Sequence, residues 1–243
     1  MLVNGTDVFA LPTKAVLFDL GGTLIKFDVV HPGEIFQRIL LSLGISRSLD
    51  EAKIAFLKAE KEAKDLSLLS SFGKMDREEY WNQWDALVLK HLGIAEHVKL
   101  GRIVQSKWLD FVNFTLYSEV KDVLMELQQR RLKLGLISTG YEEGIRLILE
   151  KVNLEKATFD IIVGVDTIQK VKPSPEIFKY AISKLNLKPE ETIFVGDNVE
   201  ADYKGAENVG IKAILIQRKE NKTKQTSSLK TISTLEEIFK YIE

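Results

Sequence analysis

Four short apolar runs in this 243-residue chain lead into residues able to do chemistry. Asp19 closes AVLFD at residues 15–19, and Ser138 and Thr139 close the run at 132–138. Asp166 and Lys172 follow the run at 159–163, and Asp197 follows Phe194, Val195 and Gly196. A lone aspartate in such a place is more often a turn former or helix cap than a catalyst, and a lone lysine is usually a solvated charge. Four such clusters, each at the end of a run, point to one shared site. Phosphoryl transfer is a chemistry that unites them, because a phosphate ester resists attack until its charge is neutralised and a nucleophile is held in line. A carboxylate can be that nucleophile. Asp19 and Asp197 offer hard oxygens suited to a magnesium ion. The Ser138 hydroxyl, the backbone N–H of Thr139 or Gly140 and the Lys172 ammonium can hold the remaining phosphoryl oxygens.

Such residues meet only if the runs are neighbouring parallel strands, since ligands bind beyond the carboxyl ends of an open parallel sheet. The pattern fits. AVLFD before a Gly-Gly turn reads as a fully buried strand. After Tyr117 helix and strand alternate: strands at 132–138, 159–163, 192–195 and 211–217, helices around 120–127, 144–152 and 175–185. Alternation of this kind predicts a doubly wound α/β parallel sheet with helices on both faces.

Residues 31–114 break that rhythm. Ile35, Ile39 and Leu43 share one helical face; so do Ala52, Phe56, Ala59, Ala63 and Leu66, and then Tyr80, Trp84, Val88 and His91 or Leu92. Gly44, Gly73 and Gly93 stand near the breaks, where helices tend to end. Nothing strand-like interrupts them. The expected organisation is a core from residues 1–28 and 115–243 with a helical domain, 29–114, inserted after the first strand. Residues 217–231 are polar and Lys-rich, and read as a solvated loop before a last helix.

Composition removes several classes. Lys plus Arg number 34 and Asp plus Glu 35, a formal charge of -1, so no broad basic surface announces nucleic acid or an anionic membrane. No cysteine is present, which excludes disulfides, cysteine zinc sites and a thiol nucleophile. No run approaches the roughly 18 apolar residues of a membrane span and the N-terminus lacks a signal pattern, so a cytoplasmic protein, monomer or homodimer, is expected. Neither GxxxxGK[ST] nor GxGxxG occurs, leaving ATP or NAD use without support. His31, His91 and His97 have no metal-pair spacing and read as surface or packing residues. Trp81, Trp84 and Trp108 read as core first and pocket second.

The ordered motifs resemble those of the haloacid dehalogenase superfamily. VLFDLGGTL at 16–24 is similar to its first motif, LISTG at 136–140 to the second, VKPSPEIF at 171–178 to the third and VGDNVEAD at 195–202 to the fourth. The resemblance implies a Rossmann-like core with a helical cap that chooses the substrate, a small phosphorylated metabolite. Asp19 is then nucleophile and magnesium ligand, the Gly21 carbonyl a backbone ligand, and Asp197 the carboxylate completing the shell, with Asp202 supporting the metal site. Ser138, Thr139 and Gly140 bind the phosphoryl group beside Gly22 and Thr23, which orders the loop. Lys172 neutralises phosphoryl group and nucleophile together. Asn198 is polar in the pattern, though a helix-capping role suits it as well.

One position departs. Phosphatases of the superfamily carry a second aspartate two residues after the nucleophile, as acid and base; here it is Gly21. Losing such a group costs on the order of a hundredfold to ten-thousandfold in rate. Three readings remain open on sequence: a phosphatase that is slow or uses activated substrates, another hydrolase of the superfamily, or a phosphate-binding protein without turnover. Of the second kind, a 2-haloacid dehalogenase has no need of the magnesium carboxylate. A phosphonate hydrolase needs a cap lysine, and Lys53, Lys58, Lys61 and Lys64 fit a solvated helix face better.

Overall fold

The computed structural model describes residues 12–154, 158–218 and 229–242. At its centre lies β1 (Ala15–Phe18), four residues buried without exception, as a strand covered on both faces must be. Six parallel strands form the sheet: in spatial order β5 (Ile161–Val163), β4 (Lys133–Ile137), β1, β6 (Thr192–Gly196), β7 (Lys212–Ile216) and β8 (Thr231–Ile232). The order reverses at β1, which pairs with β4 on one side and β6 on the other, so a crevice opens at its carboxyl end.

Helices cover both faces. On one, α5 (Val120–Gln129) and α6 (Glu142–Lys151) bury Val123, Leu124, Leu127, Ile145 and Leu149 against Val16, Phe18 and Leu136. On the other, α7 (Pro175–Lys184) sets Ile177, Phe178 and Ala181 against Leu17, Phe194 and Leu215. The alternation along β1, with Val16 and Phe18 to one cluster and Ala15 and Leu17 to the other, is the period-two signature of a strand sandwiched between helix layers.

Between β1 and the remaining strands of the sheet run four helices: α1 (Gly33–Ser42), α2 (Leu49–Asp65), α3 (Arg77–His91) and α4 (His97–Phe111). They enclose a separate apolar cluster that includes Ile35, Phe36, Ile39, Leu40, Val88, Leu89 and Val104. Alanines 52, 55, 59 and 63 form the buried stripe of α2, where a larger side chain would overpack at a cost of about 1–3 kcal/mol. Ser48 and Glu51 close a reciprocal cap at its start, and Asp76 caps α3. Gly44, Gly73 and Gly93 all have positive φ at helix ends.

The sequence reading needs correction in places. Leu66 lies off the buried stripe, 63% exposed, because α2 has ended at Asp65. Phe114 is not helical: β2 (Ile25–Phe27) and β3 (Phe114–Leu116) form a two-stranded antiparallel pair where the chain enters and leaves the helical segment. The final helix is a 3₁₀ segment, Leu235–Lys240, preceded by β8. Of the polar stretch expected as a loop, residues 219–228 lie outside the described residues.

The helical segment meets the core along a seam that includes Tyr80, Tyr141 and Val165. There the Gly73 N–H donates to the Tyr141 hydroxyl at 3.0 Å and Arg77 pairs with Glu143 at 2.8 Å.

Candidate active site

β1 delivers Asp19 to the crevice, and the backbone holds it there, its N–H donating to the Val195 carbonyl at 2.9 Å. The following turn is tight: the Gly22 N–H donates to Ile25, and Leu24 and Ile25 both donate to Leu20. Gly22 has φ +74°, and a Cβ there would stand 2.1 Å from Asp197 Oδ2. Glycine is required at that point on both counts, conformation and close approach. Gly196 is required for close approach alone, since a Cβ on it would fall 2.4 Å from the Asp202 side chain.

Four charged groups converge. Lys172 Nζ donates to Asp19 Oδ1 at 2.6 Å and to Asp202 Oδ1 at 2.6 Å, with all three residues buried. Asp202 Oδ2 also accepts from the Asn198 N–H at 3.0 Å, so both its oxygens are engaged. The Thr23 hydroxyl, wholly buried, donates to Asp19 Oδ2 at 3.2 Å. Asp19, Asp197 and Asp202 offer one oxygen each within 4.8 Å of one another.

The electrostatics follow from packing three carboxylates around one ammonium. Burial, then the charges of Asp19 and Asp202, push Asp197 up to about 7. Asp19 is likewise raised by burial, against the pull of Lys172. Burial alone would lower Lys172, but Asp19 and Asp202 overcome it and hold the ammonium above the ordinary lysine range. When all are ionised the cluster carries one positive and three negative charges. Hard oxygen donors with uncompensated negative charge suit a small divalent cation, and the residues present fit magnesium.

Ser138 and Gly140 lie at the end of β4, the Gly140 N–H donating to Ser138 Oγ at 3.3 Å. Ser138, Thr139, Gly140, Lys172, Asp197 and Asp202 all line one cleft with Asp19, Gly21 and Gly22, of about 1500 Å³. Asn198 also lines it, and its side chain caps the helical turn that starts at Val199, accepting from the Glu200 and Ala201 N–H groups. Asp166 belongs elsewhere: its Oδ1 accepts from the Glu142 N–H at 2.8 Å and so caps α6.

The opposite part of the cleft is built from the helical segment. Trp81 and Trp84 of α3 and Trp108 of α4 line it, and each also packs against an apolar cluster, so they serve core and pocket together. Lys53, Lys58, Lys61 and Lys64 are exposed and do not line it. The histidines are engaged locally: His31 Nδ1 accepts from the Gly33 N–H, His91 Nε2 lies 2.9 Å from Glu62, and His97 lies 3.3 Å from the Ile94 carbonyl.

Two lining residues escape sequence reasoning. Phe27 sits over Gly21, where a Cβ would meet its ring at 3.0 Å. Asp85 is 2% exposed within α3. Its signal was available, an acid four residues after Trp81 and three before Val88, on a face otherwise apolar.

Fold and site together define a doubly wound α/β protein with three carboxylates and one buried lysine gathered at its strand ends. The chain belongs to the haloacid dehalogenase-like hydrolases, whose family model matches residues 13–210. Among its relatives, pyrophosphatase PpaX of Bacillus cereus is 33% identical over 203 residues, 84% of this chain and 82% of that one. Glyceraldehyde 3-phosphate phosphatase of Methanocaldococcus jannaschii is 28% identical over 237 residues, 93% and 95% of the two chains. Among solved structures, a phosphatase of the same superfamily from Thermococcus onnurineus superposes with a TM-score of 0.62 at 27% identity, covering 94% of this chain and 97% of that one.

Proposed function

We propose that the protein is a magnesium-dependent phosphohydrolase that cleaves a small phosphorylated metabolite by way of an aspartyl-phosphate on Asp19. The observation that carries this reading is the Asp19–Lys172–Asp202 chain of 2.6 Å contacts beside Asp197. Phosphatases among the relatives support it.

Asp19 forms a bond from one carboxylate oxygen to phosphorus as the bridging P–O bond breaks, and the leaving oxygen departs as an anion that takes its proton from solvent. Water then attacks phosphorus, freeing inorganic phosphate and the Asp19 carboxylate. Lys172 opposes the effect of burial on Asp19 and neutralises charge on the transferring group. Asp202 accepts from Lys172 and from the Asn198 backbone, so we assign it to positioning the ammonium. Ser138, with the backbone N–H of Thr139 or Gly140, donates to phosphoryl oxygens. Gly22 gives the phosphoryl group room beside Asp197, and Thr23 fixes the Asp19 rotamer. Asp19, Asp197 and the Gly21 carbonyl are the groups that would hold magnesium, which supplies charge neutralisation between nucleophile and phosphate.

Gly21 offers no proton to the leaving group. Substrates with a good leaving group are therefore favoured, an acid anhydride or an activated ester. We read residues 29–114 as a cap over a core of 1–28 and 115–243, its tryptophans closing the cleft against water. Among the described residues no helix is long and apolar enough to cross a membrane, and we place the enzyme in the cytoplasm.

A panel of phosphorylated metabolites and inorganic pyrophosphate, assayed for phosphate release with magnesium and again with chelator, tests the reading. Release that requires the metal is expected. No release from any compound, in either condition, would reject it.

A further inference from the structure

Arg218 stands two residues past the end of β7 and is only 4% exposed, yet the chemistry above gives it no part. Burying a guanidinium is costly unless its donors are matched. Here Nη1 donates to Glu119, across 99 residues of chain, and Nη2 donates to the Thr23 carbonyl at 2.5 Å. Nε has no partner among the described residues, so both directed contacts come from the Nη pair. The guanidinium carbon lies over the Tyr117 ring, 3.7 Å from its centroid.

Glu119 is itself fixed. Its Oε1 also accepts from the Leu235 N–H at 3.1 Å. Burial pushes the Glu119 carboxyl up, but the Arg218 bond and the neighbouring N–H groups outweigh it and hold the group below the ordinary glutamate range.

Thr23 links this arrangement to the reacting atoms. Its carbonyl takes the Arg218 bond while its hydroxyl donates to Asp19 Oδ2 at 3.2 Å. The next carbonyl, that of Leu24, accepts from the Tyr117 N–H at 3.1 Å. Two consecutive carbonyls of the turn after β1 are thus anchored from outside it. Arg218 bonds to one and stacks on the residue that holds the other.

We propose that Arg218 is a positioning residue for phosphoryl transfer: it fixes the Thr23 backbone and, through the Thr23 hydroxyl, the orientation in which Asp19 meets phosphorus. This rests on the phosphohydrolase reading. Arginine suits the task as lysine does not, because a planar fork aims two donors in set directions whereas an ammonium is a point charge. Misplacing a reacting group by about 1 Å costs on the order of a hundredfold in rate.

Arg218→Ala would strip Glu119 of its countercharge and endanger the fold, so the test uses Arg218→Lys, which keeps the charge and loses the fork. With para-nitrophenyl phosphate and magnesium, kcat is expected to fall about tenfold to a hundredfold while KM stays within about threefold. Glu119→Gln, whose amide oxygen still accepts from Arg218 and Leu235, is expected to remain within about threefold of the parent in both. A double-mutant cycle supplies the readout that a general loss of structure does not move. In a Thr23→Val background, where the hydroxyl is gone, Arg218→Lys should lower kcat by less than about threefold further. Amide hydrogen exchange needs no turnover: the Leu24 and Ile25 N–H groups should exchange at least about tenfold faster in Arg218→Lys, with those of β4 unchanged. An unchanged kcat, an equal loss with and without the Thr23 hydroxyl, or exchange that rises throughout the sheet overturns the proposal. A parent that releases no phosphate removes the phosphohydrolase reading instead, and exchange at Leu24 and Ile25 still decides whether Arg218 anchors the turn.

Discussion

Lys172 Nζ lies 2.6 Å from Asp19 Oδ1, joining positions 153 residues apart in the chain. The contact unites the loop after β5 with the end of β1, and the second bond to Asp202 adds the segment after β6. Stability and chemistry therefore share one ammonium. Among the described residues it is the cation that directly faces all this buried negative charge.

Removing it has a predictable cost. Lys172→Met leaves Asp19 and Asp202 buried without their countercharge, and breaking a buried pair costs about 3–5 kcal/mol. Urea unfolding of the variant should show a loss of that size, with phosphate release abolished. A variant as stable as the parent would show that the cluster is not organised by this lysine.

Gly21 makes a prediction of gain. Gly21→Asp restores an acid two residues beyond Asp19, worth up to on the order of a hundredfold in hydrolysis of unactivated phosphate esters. Its Cβ would meet the Phe27 ring at 3.0 Å, and Phe27 is 46% exposed, so the ring can give way. Adding Phe27→Leu should enlarge the gain. Steady-state rates on an alkyl phosphate measure it; no rise in either variant would mean that the missing acid is not what limits the enzyme.

Asp197 predicts a pH dependence. Its value of about 7 in the folded chain stands above the ordinary 3.8 because of burial and the neighbouring carboxylates. Below about pH 4 both folded and unfolded chains hold the proton. As pH rises from there to about 7 only the unfolded chain releases it, so this group's contribution to stability falls through that window and levels off above it. Magnesium binding needs the ionised form, so affinity should climb roughly tenfold per pH unit below about 7 and plateau above. Calorimetric titration with magnesium between about pH 6 and about pH 8 reads this directly; a flat profile would remove Asp197 from the metal site.

Much of the core was legible because its signals are local. AVLFD announces a buried strand and its terminal acid within five residues, and Asp197 and Lys172 follow runs equally short. The convergence of Asp19, Ser138, Lys172 and Asp197 on one cleft follows once those strands are parallel. What stayed hidden depends on distance in the chain. β2 and β3 are three residues each and pair across the whole helical segment, so neither carries a pattern of its own. β8 has two residues and exists only by pairing with β7. Trp81 and Trp84 obey the same helical period whether they face a core or a cleft, and only the position of α3 relative to the strand ends distinguishes the two. Asp166 shows the converse: a strand-end acid, alike in sequence to Asp19, that caps a helix.

Acid-quenching the enzyme during turnover of a phosphate ester, then locating phosphate by peptide mass spectrometry, tests the central claim most directly. Phosphate should appear on Asp19 in the parent, and Asp19→Asn should show neither the modified peptide nor phosphate release. Turnover by Asp19→Asn at the parent's rate, or phosphate trapped on another side chain, would contradict a nucleophilic Asp19.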